Sequence, residues 1–133
     1  MKDSGPLLAD DVIVGIFHYI SQYLGEFSIT SDREILHSAF YEIRKDYPLY
    51  FSQIQFHWNG FFHESVALDQ AFSNLTATEL IERRGLSGEK YFITKEIHKS
   101  FKSIEKIIDP VMFPFLAGMF MGIRRRSRSR QKA

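Results

Sequence analysis

Residues 80–94, LIERRGLSGEKYFIT, decide how the middle of this chain is read. Two short segments, 80–84 and 90–94, flank Gly85-Leu86-Ser87-Gly88. Glycines at both ends of that loop admit the positive φ that a tight reversal needs. The stretch therefore reads as a β-hairpin, with Arg83, Arg84 and Lys90 along it. Just upstream, Leu68, Ala71, Phe72 and Leu75 recur at helical spacing and predict a helix from about 64 to 79. Leu80 and Ile81 fall off that face, so helical geometry must end before the hairpin begins. Downstream, Ile97, Phe101, Ile104 and Ile108 keep the helical interval and predict a helix over 95–108, which Pro110 ends.

The N-terminal half gives two further helices. Asp10 or Asp11 can cap one whose apolar positions are Ile13, Ile16, Phe17, Ile20 and Leu24, with Gly25 as its stop. Ser31 and Glu34 have the capping-box interval, and Ile35, Leu36, Ala39, Phe40 and Ile43 form one stripe behind them. Pro48 ends that helix, because the residue before a proline is pushed out of helical geometry. Residues 49–58, LYFSQIQFHW, alternate in part and are read as extended, and Asn59-Gly60 makes the turn after them.

The 133 residues suit one domain, and 44% hydrophobic content with 13 Phe suits a folded one. With no Cys, a disulfide framework and any thiolate metal site are excluded. The opening MKDSGPLLADD lacks the charged-then-apolar order of a signal peptide, so a cytoplasmic location is expected. The net charge of +1 conceals a division. Six of the 17 basic residues (Arg124, Arg125, Arg126, Arg128, Arg130 and Lys132) lie in the last ten positions with no acid among them. The rest of the chain holds 11 basic against 16 acidic side chains, a balance of −5. An acidic body with a basic tail suggests a tail that has its own partner or one that keeps the protein in solution.

Candidate binding residues follow from charge. Lys95, Lys99, Lys102 and Lys106 recur at intervals of four, three and four, opposite the apolar stripe of their helix. With Arg83, Arg84 and Lys90 they could follow a phosphate backbone or meet an acidic partner, against the plainer alternative of a solvated face. The helix at 64–79 offers Glu64, Asp69, Gln70, Ser73, Asn74 and Glu79 instead, which suits neither bases nor phosphates. His57, His63 and Glu64 are the one compact set of metal-type ligands, without a recognised spacing, so no metal and no cofactor is expected. No P-loop, nucleophile elbow or dinucleotide fingerprint occurs, and an enzyme is not expected.

The run at 111–123, VMFPFLAGMFMGI, is apolar on every side. It falls short of the roughly 20 residues a spanning helix needs, and Asp109 blocks its extension backwards, so membrane contact is disfavoured. A helix of this kind must be covered, either by its own domain or by a second copy. Met112, Phe113, Phe115, Leu116, Met119 and Phe120 are the expected dimer interface.

A helix followed by Leu-Ile-Glu, a glycine turn and Tyr-Phe-Ile-Thr has the layout of the last helix and wing of a winged-helix module. The words FHWNGFFHESVALDQAFSNLTATELIERRG and EKYFIT resemble a group of small prokaryotic proteins that includes the antitoxin domain called Panacea. The resemblance spans roughly residues 10–105. In that group a glycine-proline stands where this chain has Gly60-Phe61, and a glycine stands at Glu79. Asp46 and Glu64 also enclose seventeen residues, where a helix-turn-helix has a turn of about 3–4. The expected fold is mainly α (α+β): a winged-helix-like domain with one β-hairpin over 1–109, an apolar helix at 110–123 and a disordered basic tail at 124–133. The expected function is a non-enzymatic interaction domain, regulatory or antitoxin-like, binding protein and nucleic acid without sequence preference. The alternatives are a structural or adaptor homodimer and a peripheral membrane-associated protein.

Overall fold

The computed structural model describes residues 7–132, with side chains described through Ile123. Helix α1, Ala9–Leu24, is buried almost all round: Val12, Ile13, Val14, Ile16, Phe17, Tyr19 and Ile20 are all covered. Its cap is Leu8, which makes no side-chain hydrogen bond. Asp10 and Asp11 lie instead in the first turn, where they favour the helix dipole. Gly25 closes it in left-handed geometry at φ 65°. A three-residue strand β1, Ser28–Thr30, follows. Nothing in the sequence reading anticipated it.

Helix α2, Arg33–Asp46, begins one residue later than the Ser31 box implies. Asp32 is its cap and accepts from the Glu34 and Ile35 amides at 2.9 and 3.2 Å. Ser31 is engaged elsewhere: its hydroxyl donates to the Gly88 carbonyl at 2.6 Å and its amide to the Glu89 carbonyl at 2.9 Å. The stripe Ile35, Leu36, Ala39, Phe40 and Ile43 is buried as expected.

The stretch at 49–58 is not one extended segment. Pro48–Phe51 forms a 3-10 turn, and only His57–Trp58 (β2) is a strand, paired antiparallel with His63–Glu64 (β3). Phe51 and Ile54 are both fully buried, and a spacing of three satisfies a turn rather than the two-residue period of a strand. Asn59 holds the reversal, its side-chain oxygen accepting from the Phe61 and Phe62 amides at 2.8 and 2.9 Å.

Helix α3, Val66–Ala77, buries Leu68, Ala71, Phe72 and Leu75. Its exit uses a residue in left-handed geometry: Glu79 has φ 63°, while the Leu80 amide reaches back to the Leu75 carbonyl at 2.9 Å and the Glu79 amide to Thr76 at 3.1 Å. This pair of bonds is the usual helix stop that favours glycine at the left-handed position. A side chain there costs on the order of 1 kcal/mol. Glu79→Gly is therefore expected to raise unfolding stability by about 0.5–1 kcal/mol, read by urea denaturation. An unchanged or lowered midpoint would count against this account of the turn.

The hairpin forms as read: β4, Ile81–Arg84, pairs with β5, Lys90–Ile93, and β1 adds to the far side of β5. The order β1-β5-β4 is antiparallel throughout, with Arg83 opposite Tyr91 and Arg84 opposite Lys90. With the β2–β3 ribbon this makes more sheet than the single expected hairpin, within a mainly helical α+β fold. Helix α4 is shorter than expected, Glu96–Ile104, and a 3-10 turn at Glu105–Ile107 returns Ile108 to the core.

Asp109 caps the last helix, accepting from the Val111 and Met112 amides at 2.9 and 3.0 Å. Helix α5 runs over Met112–Lys132, its backbone continuing through 124–132, where the sequence leads one to expect a disordered tail. Residues 124–132 contain no Gly or Pro to stop it. One aromatic cluster unites the layers, with Phe120 5.0 Å from Phe40 and 6.0 Å from Phe17 between ring centres.

Candidate functional site

Of the expected binding residues, Arg83, Arg84 and Lys90 lie on the hairpin and Lys99 and Lys102 on α4. Arg83 and Tyr91 share one face of the sheet, and Arg84, Lys90 and Phe92 the other, as the register requires. The Arg84 guanidinium carbon lies over the Phe92 ring, 3.8 Å from its centre, and the group pairs with Glu82 at 2.9 Å. Arg83 covers the Tyr91 ring at 5.5 Å and donates to the Gly88 carbonyl at 2.9 Å. Leu86 at the tip of the turn is fully exposed. Lys90, Lys95, Lys99, Lys102 and Lys106 are exposed, and among the described residues none has an acidic partner. Lys95 precedes α4 and Lys106 lies in the 3-10 turn after it. Arg124, Arg125, Arg126, Arg128 and Arg130 lie on the helical continuation of α5, and their side chains are outside the described residues.

The outer side of α3 is tied into a network that sequence reasoning missed. Arg33 donates to both oxygens of Asp69 at 2.9 and 2.5 Å and reaches Glu64 at 2.6 Å. His37 is 1% exposed; its Nε2 lies 2.9 Å from Asp69, and its Nδ1 accepts from the Ser65 amide at 3.0 Å. An amide donating to Nδ1 leaves the ring proton on Nε2, so the imidazole is neutral and hydrogen-bonded to the carboxylate. Burial lowers the His37 pKa, in agreement with that tautomer. Burial works against the Asp69 carboxylate, but the Arg33 hydrogen bonds overcome it and hold the group below its usual value. Hydrogen bonds from Arg33 and then Asn59 lower Glu64 likewise. The residues of this network lie up to 36 positions apart, and no local pattern marks them.

Beside the network lies an open cleft of about 490 Å³, bounded by His37, Asp69, Phe72, Ser73, Arg83 and Tyr91. Phe72 and Tyr91 stack in parallel at 5.5 Å on one side of it. His37 has both ring nitrogens committed, so the network fastens the β2–β3 ribbon to α2 and α3. His57 and Glu64 pair across that ribbon at 2.9 Å, while His63 stacks on Tyr41 at 3.9 Å. Among the described residues no three His, Asp or Glu side chains are grouped to hold a metal.

A second histidine pair sits between α1 and α4. Nδ1 of His18 and Nδ1 of His98 are 2.8 Å apart, and the His18 ring stacks on Phe101 at 3.8 Å. One ring must donate and the other accept, so both cannot be protonated in this arrangement. Burial, then the neighbouring His98, pulls the His18 pKa down to about 4.

The expected dimer residues divide. Phe113, Leu116 and Phe120 are fully buried among the helices of their own chain, which corrects their assignment to an interface. They face α1 and α2, whose apolar side chains cover that flank of α5. Phe115 stays 52% exposed, and Met112 and Met119 are half-buried. No described helix is long and apolar enough to cross a membrane. Comparison with protein-family models, with curated proteins and with solved structures returned no match.

Proposed function

We propose that this chain is a non-enzymatic, winged-helix-like interaction domain, regulatory or antitoxin-like, that grips the phosphate backbone of nucleic acid without reading its sequence. The observation that carries the reading is that Lys95, Lys99, Lys102 and Lys106, on α4 and at its two ends, are exposed and without acidic partners among the described residues. Lysines contact phosphates as point charges, while base edges are read by forked or amide side chains in a groove. The helix that would enter a groove carries Asp69 on its outer side, already bound by Arg33. Arg84 and Lys90 of the hairpin add further positive charge.

Fluorescence anisotropy on unrelated duplexes at several salt concentrations tests this reading. Each phosphate contact contributes about −0.9 to the slope of log K against log salt, so four lysines predict a change of roughly three to four on their replacement by Ala. Affinity should be similar for all duplexes. A marked preference for one sequence that survives the fourfold substitution contradicts the proposal.

A further inference from the structure

An open groove of about 550 Å³ runs between α2 and α5, and its lining includes Glu42, Asp46, Phe115, Gly118, Met119 and Ile123. Its floor is apolar and its α2 edge acidic. Phe115 is 52% exposed there, touched on one side by the Tyr47 ring at 5.9 Å. A Cβ added at Gly118 would meet no atom within 4 Å. Asp46 is exposed and has no cationic partner among the described residues, and Glu42 has only Lys45, at 3.7 Å.

We infer that the occupant of this groove is α5 of a second copy, lying antiparallel about a two-fold axis. Charge complementarity selects that occupant. The apolar stretch of α5 runs directly into Arg124, Arg125, Arg126 and Arg128, which are the complement of an acidic edge. A crossing midway between Gly118 and Gly122 brings residues 124–128 of the second copy alongside residues 112–116, because the axial rise is about 1.5 Å per residue in both helices. Asp46 lines the groove beside that segment, with Pro114 and Phe115. Gly118 and Gly122, one helical turn apart, let the two backbones approach closely. Both partners offer the same patch, as a closed two-fold contact requires. This surface replaces the all-round interface expected from sequence: the pairing face is Phe115, Gly118 and Met119, with Phe113, Leu116 and Phe120 turned inward.

Sedimentation equilibrium of the full chain over a wide concentration range provides the test. The chain should be dimeric, and raising salt should weaken the dimer. Gly118→Leu puts its side chain into open space in the monomer, so the fold is retained, while the close crossing is blocked. It should weaken association by about tenfold or more, which corresponds to roughly 1.4 kcal/mol. Asp46→Lys should weaken it in the same direction, with unchanged far-UV circular dichroism for both variants. A wild-type chain that stays monomeric at the highest concentration overturns the proposal. So does a dimer indifferent to both substitutions, whether it forms through the β2–β3 ribbon or any other surface.

Discussion

Phe120→Ala is expected to remove about 3–5 kcal/mol of unfolding stability, the usual cost of deleting a buried aromatic ring and leaving a cavity. The ring is fully buried between Phe17 and Phe40, so it joins α5 to both α1 and α2. A loss of this size is a large fraction of the roughly 5–15 kcal/mol that a domain of this kind possesses. Val111→Ala at the start of the same segment, where the side chain is 80% exposed, should cost within about 0.5 kcal/mol. Urea denaturation of both variants measures the contrast. Equal effects would mean that α5 is not seated on the core as described.

The second large effect is a loss of stability in acid. In the folded chain the His18 pKa is near 4, while an exposed imidazole titrates near 6.5. Between those values the unfolded chain binds a proton that the folded chain refuses, so stability falls as pH drops from about 6.5 toward 4. The difference corresponds to about 3 kcal/mol at most. His37, buried and also lowered, acts in the same direction over the window below its ordinary value. Asp69, Glu64 and Glu89 have lowered pKa values, so their contribution is lost only at still lower pH, as they protonate. Denaturation midpoints measured from pH 7.5 down to 4.5 should decline steadily, and His18→Phe, which keeps a ring against Phe101, should flatten the decline. A stability independent of pH across that range, or a variant with the same slope as the parent, would contradict the account.

The elements legible in the sequence are those whose determinants are local. The stripe from Ile35 to Ile43, the break at Pro48 and the hairpin around Gly85 and Gly88 each depend on residues within one or two turns of each other. The Ser31 box failed for a long-range reason: the hydroxyl that could cap α2 is spent on Gly88, 57 positions away. Strand β1 was invisible because three residues carry no period, and it exists only where β5 presents a free edge to it. Helix α5 shows the limit most plainly. Its composition is apolar all round, and only the arrangement of α1 and α2 decides that Phe113, Leu116 and Phe120 are covered while Phe115 is not. The Arg33–Asp69–His37 network has the same character, since its members come from two helices that the sequence does not mark as neighbours. The exposed lysines could be read in advance because a residue opposite an apolar stripe faces water whatever packs on that stripe.

On the proposed function the hairpin and α4, rather than α3, meet the anionic partner. Amide chemical-shift mapping of the isotope-labelled full chain during titration with a short unrelated duplex at low salt tests it most directly. Shifts should concentrate on residues 83–90 and 95–106 and fade as salt is added, with the amides of Asp69, Gln70 and Ser73 little moved. Shifts centred on the outer face of α3, or no shifts at any concentration of duplex, would contradict it.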